Sequence, residues 1–312
     1  MQHKKTICAV ILFFSLFTVF TRGKKDAVGK GGKEFSYEEE ILESPGLDDK
    51  EKILGLKDFA QMHNSDFVCA LDYFNQCKML IKNSKCYPVC SLNNPIKTYT
   101  NLKQKKQNQD EKNNPEVKTT VNAEELKNDA KALFMLSIVF PEMMRYSAFR
   151  DEIETRVTSV MYSCGSDSLI CSIGYMQMKP NFASYIERCI QKYPDLEERY
   201  GMLNQQGNDF TFDQRRDRIK RLKTLDFQIQ YLSAFIDYAV KRYHLSDKDT
   251  EYQLRILSTA YNAGLSYSEK DLMDITKVKA FPNGTNAKGS LWNYSDLTVQ
   301  FYNYVANGFS FD

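Results

Sequence analysis

Glu142 is the residue whose type and position suit acid–base chemistry. It follows a run of apolar residues that recur at helical spacing, and it comes directly after Pro141. Proline disfavours the helical conformation of the preceding residue, so the sequence predicts a buried helix that ends or kinks just before the acid. Beside Phe140, Met143 and Met144 the carboxyl group would be desolvated, which raises its pKa toward the value that a general acid needs. The alternative interpretation is an exposed glutamate at the end of a helix.

Two amide side chains, Gln177 and Asn262, also lie among apolar residues. The first is in the segment Gly174 to Pro180 and the second in the segment 260–264. An amide in such surroundings needs partners that offer both hydrogen-bond donors and acceptors. A sugar N-acetyl group or hydroxyl is one such partner. A neighbouring backbone group is the alternative, and on the residues alone it is the favoured one.

The composition limits the other kinds of chemistry. Of the 312 residues, 42 are basic, 40 are acidic and 3 are histidines. This charge balance does not favour nucleic acid as a partner. His3, His63 and His244 are too few for a multi-histidine metal site or a histidine-based triad. We therefore expect chemistry by carboxylates, without a metal or another cofactor.

Residues 1–22 are typical of a secretory signal peptide. A positively charged start is followed by a nearly continuous apolar run from Ile7 to Phe20, which is short for a membrane span. Cleavage is expected near residues 21–23, and an uncleaved membrane anchor is the alternative. The sequence thus predicts an exported protein that is periplasmic or associated with the cell envelope.

Seven cysteines follow the signal peptide. Export into an oxidising compartment favours disulfides, and the spacing of the first four does not match a structural zinc site. Four cysteines allow three pairings, so their connectivity stays open. The fifth and sixth flank a polar loop that they are able to close, and the last is expected to be a buried free thiol. In order, the cysteines are Cys69, Cys77, Cys86, Cys90, Cys164, Cys171 and Cys189.

Four segments follow the signal peptide. Residues 23–34 form a flexible leader rich in glycine and lysine, and residues 35–95 a small, helical, cysteine-containing accessory domain that is able to bind a protein partner. Residues 96–120 are polar, which predicts a linker. Residues 121–312 have apolar residues at helical spacing almost throughout, with room for a short hairpin at 163–175. The expected fold class is therefore mainly α.

Four motifs in order carry a resemblance to a known family. The sequence resembles the catalytic domain of the soluble, goose-lysozyme-like lytic transglycosylases, from about residue 125 to 307. In that family a glutamate that ends a helix is followed by Gly-x-Met-Gln, then by Ala-Tyr-Asn-Ala-Gly, and then by a final helix with a Tyr-Val pair. The resemblance implies a lysozyme-like, all-helical catalytic domain. The matching segments are Pro141-Glu142, Gly174-Tyr175-Met176-Gln177, Ala260-Tyr261-Asn262-Ala263-Gly264 and Asn303-Tyr304-Val305.

The resemblance also implies an activity. It is the cleavage of the β-1,4 bond between N-acetylmuramic acid and N-acetylglucosamine in peptidoglycan, with a 1,6-anhydromuramoyl product. Glu142 would be the sole general acid and base of an enzyme that we expect to be a monomer. The residues implied to hold or line the sugar are Gln177, Asn262, Tyr304, Tyr261, Met176, Tyr175 and Ser147.

Two other functions stay open. A hydrolytic muramidase would need a second carboxylate such as Asp167, Asp151 or Glu154 to position water. A non-catalytic peptidoglycan-binding or assembly protein on the same fold is the other alternative, with residues 35–95 as its active part. Met143, where the family generally has serine, favours that third interpretation.

Overall fold

The structure is mainly α-helical, as the sequence predicts. The computed structural model describes residues 64–83, 92–113, 122–146, 148–165, 171–204, 211–282 and 291–307. Over these ranges it contains eleven α-helices and no β-sheet. In chain order they are α1 (Asn64–Asn83), α2 (Asn93–Asn113), α3 (Ala123–Met143), α4 (Ala148–Ser163), α5 (Pro180–Ile190), α6 (Pro194–Tyr200), α7 (Phe212–Leu222), α8 (Leu225–Arg242), α9 (Thr250–Ala263), α10 (Glu269–Ile275) and α11 (Tyr294–Ala306).

Helix α3 lies at the centre of the fold. From Ala130 to Met143 every residue except Lys131 is buried, because the segment is apolar on all sides rather than along one stripe. It packs against α1, α2, α8, α9 and α11. Its start is fixed by Asn122, whose side-chain oxygen accepts the N–H of Glu124 at 3.0 Å. The last turn of α3 is therefore held in place from several directions.

The end of α3 differs from the prediction. Pro141 lies inside the last turn and the helix continues to Met143, so Glu142 is helical rather than just beyond a break. A proline removes only its own N–H from the helix. The next donors still find acceptors, since the N–H of Met144 bonds to the carbonyl oxygen of Phe140 at 3.1 Å.

Helix α8 is the second buried helix, and an ionic cluster ties its neighbours to it. It is buried from Gln228 to Val240 and packs against α3, α5, α6, α7 and α9, among others. The Glu187 carboxylate of α5 accepts hydrogen bonds from Arg218 and Arg221 of α7 and from Tyr231 of α8. A buried carboxylate is tolerated only with such partners.

Helix α1 belongs to the predicted accessory segment 35–95, yet it packs against α3. Phe74 of α1 lies edge-on to Phe140 of α3 and to Phe301 of α11, with ring centroids 6.3 and 5.1 Å apart. All described residues belong to one compact unit. The accessory segment thus contributes core residues around the helix that carries Glu142.

The segment predicted as a linker, 96–120, is helical in α2 as far as Asn113. Its apolar residues Ile96, Tyr99 and Leu102 recur every third position and pack on the core. This apolar stripe is narrow, so the segment is polar on average although one face of the helix packs against the core. The prediction relied on composition and missed the spacing.

The signal peptide predicted at 1–22 and the leader predicted at 23–34 lie outside the described ranges, as do Cys86 and Cys90. In the part of the chain that is described, no helix is both long and apolar enough to cross a membrane. Cys69 and Cys77 are free thiols on α1. They lie eight residues apart, which is about 12 Å along a helix and too far for a disulfide.

The disulfide considered between Cys164 and Cys171 is not formed, because Cys164 is a free thiol. Cys164 follows the end of α4, whereas the N–H of Cys171 is held by the hydroxyl of Thr158 at 2.9 Å. Thr158 lies six residues before Cys164, which is about 9 Å along α4. Cys189 is a buried free thiol, as expected.

Removing the carboxylate of Glu187 is expected to destabilise the protein strongly. The Glu187→Ala variant should lose about 3–5 kcal/mol of unfolding free energy, because Arg218 stays buried without its partner. Urea denaturation measures this loss. The matched control is Asp213→Ala, which removes the exposed partner of Arg216 and should leave the midpoint unchanged. Equal effects of both substitutions would contradict the role given to the cluster.

Candidate active site

Glu142 is a buried carboxyl group in the last turn of α3. Its side chain is 11% exposed, and burial raises its pKa above the ordinary value for glutamate. Two cations oppose this effect. Nη1 of Arg145 donates to Oε2 of Glu142 at 3.3 Å, and Lys179 precedes α5 nearby. Burial is the larger effect, so the site favours the protonated carboxyl group that a general acid needs.

Two buried tyrosines lie close enough to Glu142 for its charge to affect them. Burial first, and the negative charge of Glu142 second, raise the pKa of Tyr261 in α9 and of Tyr294 in α11. The Tyr261 hydroxyl donates to the carbonyl oxygen of Met176 at 2.7 Å, and the Tyr294 hydroxyl to that of Ile138 at 3.2 Å. Helices α3, α9 and α11 therefore meet at the acid.

The Gly-Tyr-Met-Gln motif forms a tight turn. Ile173 and Met178 pair as an isolated antiparallel bridge, with distances of 3.0 and 3.1 Å between the backbone nitrogen of one residue and the carbonyl oxygen of the other. Gly174 has φ of 72°, a conformation that glycine adopts without strain. A Cβ added at Gly174 would lie 1.7 Å from Nε2 of Gln228, so the Gln228 amide would have to move and lose its hydrogen bonds to Met176 and Leu222. The turn lies at the end of the hairpin region predicted at 163–175, of which residues 166–170 are outside the described ranges.

Polar side chains from two helices hold this turn. The Asp151 carboxylate of α4 accepts the N–H of Gly174 at 2.7 Å and also bonds to Gln177. Oε1 of Gln228 in α8 accepts the N–H of Met176 at 3.1 Å. Nε2 of Gln177 itself donates to the carbonyl oxygen of Gly174 at 2.9 Å. The Gln177 amide thus braces its own turn, which is the backbone alternative considered from the sequence.

An aromatic cluster of Tyr73, Tyr146 and Tyr175 joins the turn to α1. The ring of Tyr175 stacks on that of Tyr73, with centroids 4.2 Å apart and planes at 14°. Tyr146, which follows α3, lies edge-on to both rings at 4.9 and 4.7 Å. All three side chains are partly exposed. Helix α1 therefore provides one wall of the site.

Other predicted residues stand apart from the acid. Asn262 is exposed at the end of α9, next to Tyr261. Tyr304 is half-buried on α11, ten residues and about 15 Å along the helix from Tyr294. Tyr294 is thus the tyrosine of α11 that lies beside the acid. Ser147 is outside the described ranges.

Sequence reasoning missed four residues of the site: Tyr73, Arg145, Gln228 and Tyr294. Gln228 carries a recognisable pattern, since it is an amide on a buried helix, as Gln177 is an amide among apolar residues. Arg145 also follows from a local pattern, because it comes three residues after Glu142. Tyr73 and Tyr294 depend on which helices pack together, which no local pattern records. Across the described ranges, no group of three or more His, Cys, Asp or Glu side chains is arranged to hold a metal ion.

Adding a methyl group at Gly174 tests the geometry of the turn. Gly174→Ala places a Cβ against Gln228 in a backbone conformation with positive φ, so the unfolding free energy should fall by about 1–3 kcal/mol. Gly201→Ala is the control, because a Cβ there meets nothing within 4 Å and its backbone is helical. Thermal denaturation compares the two variants. A Gly174→Ala protein as stable as Gly201→Ala would contradict the described turn.

Comparisons with protein-family models, with curated proteins and with solved structures find no match for this chain. The functional interpretation therefore rests on the geometry around Glu142 and on the order of the sequence motifs.

Proposed function

We propose that this protein is a peptidoglycan lytic transglycosylase in which Glu142 is the sole general acid and base. The observation that carries the proposal is a carboxyl group whose burial favours its protonated form, placed beside Tyr261 and the Tyr175–Gln177 turn. The order of the four sequence motifs supports it. Export through residues 1–22 would bring the enzyme to its substrate in the cell envelope.

The proposed reaction has two steps. Glu142 first donates its proton to the glycosidic oxygen, and the bond between this oxygen and C1 of the muramoyl residue breaks. The acetamido group of that residue stabilises the cationic centre in place of a second carboxylate. The C6 hydroxyl of the same residue then attacks C1 while the ionised Glu142 takes its proton. The product is a 1,6-anhydro sugar, the acid is regenerated, and no water is consumed.

The surroundings of Glu142 suit both of its charge states. Burial favours the protonated form before the first step, and the 3.3 Å contact with Arg145 compensates the ionised form between the steps. Of the residues implied to line the cleft, Met176 is fully buried, so we propose that the partly exposed ring of Tyr175 contacts the sugar.

We assign to sugar binding the three polar residues that the resemblance implies, namely Gln177, Asn262 and Tyr304. Asn262 is exposed beside Tyr261, so its amide is accessible to a ligand. Gln177 is the second amide. Tyr304 lies about 15 Å along α11 from Tyr294, so we assign it to a part of the glycan strand away from the acid. Binding through Gln177 requires the sugar to add to, or replace, the hydrogen bond that its amide donates to Gly174.

A hydrolytic muramidase is the alternative enzyme. Its second carboxylate would have to be ionised and available to water. Asp151 lies beside the turn, but its carboxylate accepts hydrogen bonds from Gly174 and Gln177. These bonds weigh against Asp151 as a base. Asp167, another candidate, is outside the described ranges.

The test is digestion of purified peptidoglycan by the full chain, followed by mass analysis of the soluble products. The wild-type protein should release anhydromuropeptides, which are lighter by one water molecule than the hydrolysed products. Glu142→Gln should lower this release by at least about a hundredfold, since the amide has no acidic proton to transfer to the glycosidic oxygen. The matched control is Glu124→Gln at the exposed start of the same helix, which should retain wild-type activity.

The other outcomes separate the alternatives. Products with reducing ends alone would contradict the transglycosylase and favour the muramidase. Binding of peptidoglycan without turnover between pH 4 and 8 would favour the non-catalytic protein. Full activity of Glu142→Gln would remove Glu142 from the mechanism.

A further inference from the structure

Arg145 stands between the buried acid and the solvent. It follows Glu142 by three residues, which places both side chains on the same face at the end of α3. The Glu142 side chain is 11% exposed and that of Arg145 is 35% exposed, so the guanidinium is the outer member of the pair. Its carbon Cζ lies 5.4 Å from the centre of the Phe281 ring, which supports the guanidinium from one side.

A second cation lies near the same carboxyl group. Lys179 is exposed immediately before α5, and its charge acts on Glu142. Among the described residues, the other titratable groups that interact with the acid are the buried phenols of Tyr261 and Tyr294, which are neutral. The accessible charges that these residues place near Glu142 are those of the two cations.

The charge of the proposed substrate lies in its peptides rather than in its sugar chain. The N-acetyl sugars are neutral, and the lactyl group of a substituted muramic acid is joined to its peptide stem through an amide. The stems carry free carboxylates. A muramoyl residue positioned for cleavage at Glu142 brings its stem close to the same acid. Arginine and lysine are the side chains that bind carboxylates by charge-assisted hydrogen bonds.

We propose, on the basis of the function proposed above, that Arg145, assisted by Lys179, binds a carboxylate of the peptide stem and so selects glycan strands that carry anionic stems. A guanidinium has five N–H donors, so Arg145 can bind the stem and keep its contact with Oε2 of Glu142. One side chain therefore contacts both the stem and the acid.

A pair of substrates that differ only in charge tests this inference. Both are soluble glycan strands with intact stems and acetylated amino groups, and in one of them the stem carboxylates are converted to neutral methylamides. Wild-type kcat/KM should be at least about tenfold higher on the carboxylate form, the worth of one charge-assisted hydrogen bond. In Arg145→Gln this ratio should fall toward one, mainly through loss on the carboxylate form. Arg145→Lys should retain part of the preference.

The matched control is Arg216→Gln, which breaks an exposed pair with Asp213 at the same three-residue spacing. It should keep the wild-type ratio. A wild-type ratio near one, or an unchanged ratio in Arg145→Gln, would overturn the inference. An arginine that only stabilises the end of α3 would change the melting temperature and leave the ratio as it is.

Binding separates this inference from the proposed function. Calorimetry with the same two substrates in the Glu142→Gln background, with and without Arg145→Gln, measures the preference without appreciable turnover. If the wild type forms no anhydro product but Glu142→Gln binds the carboxylate form more tightly and the double variant does not, the proposed function fails and stem recognition stands. If anhydro products form and binding shows no preference, stem recognition fails and the transglycosylase stands.

Discussion

Burial of one carboxyl group at the end of an apolar helix is the constraint on which the site depends. Helix α3 is surrounded by five other helices, and the contacts that stabilise it also remove water from its last turn. The ionised form of Glu142 is thereby penalised, while Arg145 limits the penalty from the solvent side. The packing of helices around α3 therefore both stabilises the core and raises the pKa of Glu142.

The rest of the site is built from polar groups that bond to backbone atoms. Tyr261, Gln228 and Asp151 each hold part of the turn from Gly174 to Met176, and each comes from a different helix. Buried polar groups of this kind fix one arrangement, because a shift of the turn would leave them without partners. Under the proposed function, this rigidity keeps the sugar-facing turn at a constant distance from the acid.

The features that could be predicted from the sequence are those that depend on a local pattern of residues. Helix α3 and the burial of Glu142 follow from a long apolar run, and the stop of α9 follows from Gly264. The helix α2 was not predicted, because its narrow apolar stripe is hidden in a polar composition. Tyr294 and Tyr73 reach the site only through the packing of α11 and α1 against α3. Such contacts between distant segments leave no periodic pattern in the sequence.

We expect Glu142, as a buried acid, to keep its proton to higher pH than an ordinary glutamate. A carbon-13 NMR titration of the side-chain carboxyl groups measures this directly, with the Glu142 resonance assigned by its absence in Glu142→Gln. We expect a midpoint above the ordinary value for glutamate, since the effect of burial exceeds the opposing charges of Arg145 and Lys179. A midpoint at or below the ordinary value would contradict a buried acid.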